Sequence, residues 1–262
     1  MLTKLAANRN LLKNLVIKDL KHRYVGSVGG FLWSVVHPLV QLGVYSFAFR
    51  IVFNSSMGPE YDGGTNYPVF IFCGLLPWLL FSDTLMRSCL SITENSQLIT
   101  KTIIPAEILP LAITVSNLVH HLIGLSILLA VLITFFHVHL SVLLVIIIYM
   151  PMLFMLAQGL GWIVAGLQVF LRDTSQALQI VLFVWWWLTP LMYVVDLLPE
   201  KYRRLVQLNP MATIVTGYRN SLLHLKQPDP AKILVVFMAS VVVFVLGGFL
   251  FRQAKPAFPD VL

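Results

Sequence analysis

Six long apolar runs alternate with more polar connections along the chain. They cover about residues 29–53, 67–88, 108–136, 140–170, 176–195 and 231–251. A helix needs about 20 consecutive apolar residues to cross the hydrocarbon core of a bilayer. Each run reaches that length, and the third and fourth exceed it enough to tilt or to project beyond the membrane. The pattern predicts an all-α integral membrane protein with six transmembrane helices.

Two shorter segments mix apolar and polar positions at helical spacing. Residues 9–24 combine leucines with Lys18 and Lys21, a pattern typical of a helix lying along a membrane surface. Residues 91–107 separate the second and third runs. Polar residues recur along this segment at intervals that suit a helix, and Pro105 lies near its end. We expect a short exposed helix there, well placed for contact with a partner protein.

A third segment, residues 197–226, is too polar for a membrane span and too apolar for a free loop. Pro210 interrupts it, because proline lacks the amide hydrogen that a helix interior requires. The segment predicts two short amphipathic helices that lie on the outer membrane interface or dip into it.

The distribution of Lys and Arg predicts the orientation. Basic residues occupy the N-terminal segment and follow the second, fourth and sixth runs, whereas the connections 54–66 and 137–139 contain none. By the positive-inside rule both termini are cytoplasmic. Residues 196–230 oppose this assignment, since they hold Lys201, Arg203, Arg204, Arg219 and Lys226. We retain the orientation because the first helix and its flank usually set it.

The composition excludes a soluble fold. Of the 262 residues, 58% are hydrophobic and only 11% are charged, against roughly 25% charged residues in soluble domains; the mean hydropathy is +0.84. Six spans nearly exhaust the length, so we expect one domain, residues 1–262, without a separate catalytic unit. The net charge of +7 indicates anionic lipid headgroups or an anionic cargo as partners, rather than nucleic acid.

The sequence also argues against an enzyme. It contains no Gly-x-x-x-x-Gly-Lys-[Ser/Thr] motif, whose backbone amides would cradle nucleotide phosphates. We therefore expect no ATP hydrolysis, no catalytic residue and no bound cofactor. Cys73 and Cys89 indicate neither a disulfide framework nor a metal site. Asp83 stands four residues before Arg87, a spacing that favours a structural ion pair over a proton relay.

Three consecutive tryptophans, Trp185, Trp186 and Trp187, precede Pro190 in the fifth run. They fit an interfacial aromatic belt or the wall of a conduit, since indole faces pack well against the C–H surfaces of sugar rings. Consecutive helical side chains point about 100° apart, so at least one indole should face protein or a cavity.

Glycines mark a close helix contact in the fourth run. Gly159, Gly161 and Gly166 fall within twelve positions of its end. Small residues let helix backbones approach each other in membranes. The contact can lie within one subunit or across a dimer.

Motifs spread over nearly the whole chain resemble the permease subunits of type-2 ABC exporters that secrete polysaccharides. The first part of the resemblance comprises Lys18-Asp19-Leu20-Lys21-His22-Arg23-Tyr24-Val25-Gly26-Ser27, Gly29-Gly30-Phe31-Leu32-Trp33 and Pro38-Leu39. It continues with Gly74-Leu75-Leu76-Pro77-Trp78, Asn95-Ser96-Gln97-Leu98-Ile99, Lys101 and Pro105-Ala106-Glu107-Ile108-Leu109-Pro110. The last part comprises Phe170-Leu171-Arg172-Asp173-Thr174, Trp187-Leu188-Thr189-Pro190-Leu191-Met192-Tyr193 and Leu208-Asn209-Pro210-Met211.

This resemblance implies the type-2 ABC exporter fold, in which a homodimer encloses a conduit and two separate ATPase subunits bind ATP beneath it. Residues 91–107 become the coupling helix, residues 9–24 an interface helix that also contacts the ATPase, and residues 197–226 the outer gate. The implied cargo is a polyprenyl-pyrophosphate-linked glycan, with O-antigen the closest match.

The resemblance also assigns roles to individual residues. The ATPase-coupling residues are Glu94, Asn95, Gln97, Leu98, Lys101 and Glu107. The conduit residues are Trp185, Trp186, Trp187 and Tyr193. The outer-gate residues are Arg203, Arg204, Asn209, Pro210 and Arg219. The basic residues Lys18, Lys21 and Arg23 suit a pyrophosphate-lipid headgroup, although simple positive-inside anchoring is the favoured explanation for any single one of them.

Other functions stay open at this point. Capsule and teichoic acid export use similar permeases, and a type-2 exporter of a drug or small lipid is a further alternative. A membrane-embedded transferase would need clustered acidic metal ligands, whereas Glu94, Glu107 and Asp173 are scattered. A passive channel or assembly scaffold has only the missing energy motif in its favour.

Overall fold

The computed structural model describes residues 8–22, 32–45, 47–48, 67–101, 105–135, 142–195, 198–223 and 229–262. Within these ranges the regular secondary structure is entirely helical, and no strand forms. The helices are α1 (Arg9–His22), α2 (Trp33–Tyr45), α3 (Tyr67–Glu94), α4 (Ser96–Lys101), α5 (Ile108–Phe135), α6 (Met150–Phe170), α7 (Thr174–Leu188), α8 (Glu200–Gln207), α9 (Pro210–Leu223), α10 (Pro230–Ala254) and α11 (Phe258–Val261). A short helical stretch, Val142–Leu144, and a π-helical turn, Val145–Tyr149, lead into α6.

Within the described ranges, four helical segments are long and apolar enough to cross a membrane. They are Pro68–Glu94, Ile108–Thr134, Ile147–Phe170 and Pro230–Val261. These segments confirm the second, third, fourth and sixth apolar runs as membrane-length helices. The first run is described only in part, where α2 forms, so the count of six spans stays a prediction.

The fifth run forms a helix that ends early. We predicted a span to residue 195, but α7 ends at Leu188. Thr189 has φ −96° and ψ 131°, because the ring of the following Pro190 disfavours helical geometry in the residue before it. At 1.5 Å per residue, the 15 residues of α7 extend about 22 Å, less than the roughly 30 Å of hydrocarbon core.

The coupling segment is shorter than its predicted helix. Instead of one helix over 91–107, α3 continues to Glu94, a turn follows at Asn95, and α4 adds six residues. The Asn95 amide nitrogen donates to the carbonyl of Ser91 at 2.9 Å. Such a side-chain bond competes with the helix ladder and favours termination at this position.

The core is built around α6, which packs against α3 on one side and α10 on the other. Its crossing with α10 brings two backbones together at Gly159 and Gly247. A Cβ atom at Gly247 would lie 2.1 Å from the Gly159 carbonyl oxygen, and one at Gly159 would lie 2.5 Å from the Val243 carbonyl oxygen. Gly161 faces Ser88 of α3. The glycine contacts predicted for this run therefore lie within the subunit at both positions.

We predict that Gly247→Ala destabilises the protein by about 1–3 kcal/mol, because the added methyl group overpacks a contact between two backbones. Thermal unfolding in detergent measures the effect. The matched control is Gly43→Ala, since a Cβ atom at Gly43 has nothing within 4 Å and alanine is the better helix former. Equal melting temperatures for the two variants would contradict the packing described.

Candidate functional site

The three tryptophans at the end of α7 face different surroundings. The Trp185 ring packs edge-on against Phe81 of α3 with the centroids 5.0 Å apart. Trp186 and Trp187 contact each other edge to face at 4.9 Å, and Trp187 is 58% exposed. The expectation that at least one indole faces protein is confirmed at Trp185.

Because α7 stops short, its last carbonyl groups need donors from outside the helix ladder. Thr189 supplies two of them: its hydroxyl donates to the Trp185 carbonyl at 2.8 Å, and its amide to the Trp186 carbonyl at 3.2 Å. The Tyr193 hydroxyl donates to the Trp187 carbonyl at 3.3 Å. Tyr193, predicted as a conduit residue, thus also caps the helix.

Asn209 lies directly before α9, and both the nitrogen and the oxygen of its side-chain amide form hydrogen bonds where α7 and α9 meet. Its nitrogen donates to the Leu188 carbonyl at 3.3 Å and to the Thr189 hydroxyl at 3.0 Å. Its oxygen accepts from the Trp185 indole at 2.9 Å and from the Met211 amide at 3.0 Å. Asn209 therefore ties the end of α7 to the start of α9.

Arg219 of α9 completes the set of donors. Its guanidinium donates to the carbonyls of Pro190 and Leu191, and its Nε donates to the Phe70 carbonyl at 3.0 Å. It also lies over the Phe70 ring, 3.8 Å from the centroid. Gly74 leaves room for it, since a Cβ atom there would lie 2.6 Å from Nη2. With these bonds each carbonyl from residue 185 to 191 has a donor, the Thr189 carbonyl receiving the Leu191 amide.

These contacts correct the prediction for the segment 197–226. The break before Pro210 is confirmed, since α8 ends at Gln207 and α9 begins at Pro210. However, α9 is no surface helix: Arg219 is only 3% exposed, and Tyr218 binds the His121 ring at 3.0 Å. The sequence misled because Arg219 reads as a solvated cation, whereas its charge is satisfied by buried carbonyls.

The shorter helix, α8, matches the predicted amphipathic surface helix. Arg204 is exposed and forms an ion pair with Glu200 at 2.9 Å. Arg203 is half-buried and donates to the Leu198 carbonyl at 3.2 Å. Of the two gate helices predicted, α8 is thus the exposed one.

An open groove runs between α3 and α7 beside this junction. We call it the aromatic groove; it has a volume of about 570 Å³, and its lining residues are Trp78, Ser82, Asp83, Met86, Gln179, Leu182, Phe183, Trp186 and Trp187. Two of the four predicted conduit residues, Trp186 and Trp187, meet here. Sequence reasoning missed Trp78, Asp83 and Gln179 as their neighbours, although Trp78 follows Pro77 in a motif already noted.

The C-terminal end of α3 carries a second polar network. Arg87 forms an ion pair with Asp19 of α1 and donates to the Asn117 side chain of α5 at 3.2 Å. Ser116 donates to the same Asp19 carboxylate at 2.5 Å. Arg87 is therefore paired with a carboxylate from α1, a partner that the local spacing did not indicate. This network fastens the interface helix to two membrane helices.

The predicted coupling residues separate into two groups. Glu94 is exposed at the C-terminal end of α3, and Gln97 is exposed on α4. Glu107 is only 8% exposed, and its carboxylate pairs with Lys255 at 2.7 Å. Glu107 is thus engaged within the subunit rather than presented to a partner.

The structure describes only some of the remaining predicted residues. Leu98 and Lys101 belong to α4, but their side chains lie outside the described part, as does Arg23. Lys18 and Lys21 are exposed on α1, and Lys18 borders an inner cavity of about 580 Å³ with Asp19, Arg87 and Glu94. Among the described residues, no group of three His, Cys, Asp or Glu side chains could hold a metal ion.

The sequence is similar to a known protein family and to several characterised relatives. The ABC-2 type transporter family matches residues 10–223. The O-antigen export system permease protein RfbA of Myxococcus xanthus is 29% identical over 259 residues, which cover 96% of this chain and 95% of the relative. An RfbA of Klebsiella pneumoniae is 28% identical over 258 residues, covering 97% and 95%. The polysialic acid transport protein KpsM of Escherichia coli is 20% identical over 244 residues, covering 93% of each chain.

We predict that Arg219→Leu costs roughly 3 kcal/mol or more, because three buried carbonyls lose a charged donor. Arg219→Lys should recover only part of this, since an ammonium group cannot reproduce the planar fork of the guanidinium. Thermal unfolding in detergent should show a fall of roughly 5 °C or more for Arg219→Leu.

The control is Arg204→Leu, since Arg204 is 79% exposed and exposed ion pairs contribute less than about 1 kcal/mol. If Arg219→Leu had the same melting temperature as the wild type and this control, the guanidinium would not be holding the junction together.

Proposed function

Because the chain belongs to the ABC-2 type transporter family, we propose that it is the membrane-spanning permease of an ABC exporter that carries a lipid-linked polysaccharide across the bacterial cytoplasmic membrane. The observation that carries this proposal is the full-length similarity to two O-antigen export permeases. O-antigen is accordingly the proposed cargo. The similarity to KpsM supports capsular polysaccharide as the second candidate.

The proposed route is a conduit between two copies of this chain. Its wall includes α7. The large apolar side chains exposed on this helix are Ile180, Val181, Phe183, Val184, Trp187 and Leu188. A helix that ends within the bilayer must be surrounded by protein or line a cavity, because exposed backbone carbonyls are not tolerated in lipid. The position of α7 at a subunit interface satisfies that condition, and its indoles suit a sliding chain of sugar rings.

The proposed energy source is a separate ABC ATPase that binds ATP and docks on the inner face. Support comes from the absence of a phosphate-binding loop in the sequence and from the exposed Glu94 and Gln97 around α4. The ion pair between Arg87 and Asp19 would make α1 and α3 respond together when the ATPase pushes on this face. Lys18, Lys21 and Arg23 remain proposed contacts for anionic headgroups.

The proposed orientation has both termini in the cytoplasm and six spans, with α2 and α7 as the first and fifth. It places α4 at the inner face and α8 with α9 at the outer face. The buried anchoring of α9 through Arg219 supports α8 as the part of the gate that moves.

Reconstitution with the neighbouring ATPase tests the function and the coupling segment together. The wild-type complex should move the lipid-linked glycan in an ATP-dependent way. Leu98→Pro should break the short α4 helix, and Lys101→Glu should reverse a contact charge. We expect both variants to insert normally and to lose export by at least about tenfold while ATP is still hydrolysed.

The matched control is Lys232→Glu, a charge reversal at an exposed position at the start of α10, which should export normally. Wild-type export by both α4 variants would overturn the coupling assignment. Glycan flux that needs neither ATP nor the ATPase would overturn the proposed function itself and favour a passive channel.

A further inference from the structure

The aromatic groove has two chemically different ends. The chain reverses direction at α5, at α6 and again at α7, so α7 runs antiparallel to α3, and the rings of Phe81 and Trp185 meet with their centroids 5.0 Å apart. Trp78, Trp186 and Trp187 therefore lie toward one end of the groove. Asp83 and Gln179, both exposed, lie toward the other. A ligand along the groove contacts indole faces and then polar side chains.

The polar end is poorly suited to lipid. Asp83 lies about 24 Å along α3 from Tyr67 and about 17 Å from Glu94, which places it within the thickness of a bilayer. A carboxylate at that depth is costly against acyl chains and normally faces a bundle interior or a water-filled cavity. The groove is thus part of an aqueous or protein-lined space.

The combination of groups fits a sugar ring. Indole faces cover the apolar C–H surface of a pyranose, while a carboxylate accepts hydrogen bonds from hydroxyl groups and an amide both donates and accepts them. The volume of about 570 Å³ falls within the roughly 300–1,000 Å³ of small-molecule pockets. On this basis Asp83 would serve to bind sugar hydroxyl groups.

We infer that the aromatic groove is a hydroxyl-binding subsite for the transported glycan, in which Asp83 and Gln179 hold ring hydroxyls while Trp186 and Trp187 hold ring faces. This inference rests on the proposed function and adds the residues that make polar contact with the cargo. Stacking alone has little preference for one sugar over another, whereas hydroxyl contacts depend on the configuration of the ring. The polar end is therefore where the groove distinguishes sugars.

Ser82→Cys provides a conservative reporter inside the groove. The Ser82 hydroxyl bonds to the carbonyl of Leu79 on its own helix, and the native Cys73 and Cys89 are buried, so background labelling is low. The complex, with its ATPase, is placed in nanodiscs and titrated with the polysaccharide released by mild acid from the cells that make this protein. The rate of reaction with a maleimide is measured at each concentration.

We expect the polysaccharide to slow labelling of Ser82→Cys at least threefold. A second reporter, Ser126→Cys, should be unaffected, because Ser126 is also bonded to its own helix but lies exposed on α5, outside the groove. In the Ser82→Cys background, Asp83→Asn and Gln179→Ala should each raise the half-protecting concentration roughly tenfold, the effect of losing a hydrogen bond to a charged or polar anchor. Gln176→Ala, an exposed glutamine of α7 outside the groove, should not.

Three results would overturn the inference. One is unchanged Ser82→Cys labelling in a complex that still exports glycan, which would leave the proposed function intact. The second is equal protection of both reporters. The third is crosslinking of Ser82→Cys between two copies of the chain without glycan, which would show that the second copy fills the groove. Failure of the wild-type complex to export would instead count against the proposed function.

Discussion

A backbone carbonyl shielded from water must have a hydrogen-bond donor, and this requirement shapes the whole region where α7 ends. Pro190 ends the helix after 15 residues, which releases the carbonyls that a longer helix would have paired. Donors come from Thr189, Tyr193, Asn209 and Arg219. Since two of these belong to the next segment of the chain, the early end of α7 and the position of α9 are one structural feature.

The fixed and exposed parts of the molecule follow from that feature. With Arg219 bonded to carbonyls on both α3 and the 190–191 turn, α9 becomes part of the core, and α8 stays on the surface. The backbone contact between Gly159 and Gly247 holds α6 and α10 together on the other side. Between these fixed points α3 runs unbroken from the Arg219 site past the aromatic groove to its C-terminal end, where Arg87 binds Asp19. One continuous helix therefore connects the contact with Asp19 to the groove.

The sequence predicted the features that depend on local pattern. The apolar runs located α5 and α10 closely, and the glycine spacing in α6 indicated the close contact that the structure shows. Where pairing between distant segments decides the outcome, the pattern misled. Arg219 reads as a surface cation until the freed carbonyls 28 and 29 positions away are known. The ion pair between Arg87 and Asp19 likewise joins residues 68 positions apart, which local spacing could not indicate. The tryptophans were recognised, but their polar neighbours Asp83 and Gln179 come from two helices.

The account places the carbonyl network of α7 and α9 at the outer face and α4 at the inner face, and cysteine labelling of intact cells tests that placement most directly. Tyr202→Cys on exposed α8 and Gln97→Cys on exposed α4 are reacted with a membrane-impermeant maleimide. The account predicts that Tyr202→Cys is labelled in intact cells and that Gln97→Cys is labelled only after the membrane is permeabilised. Labelling of Gln97→Cys in intact cells, with Tyr202→Cys protected, would contradict it.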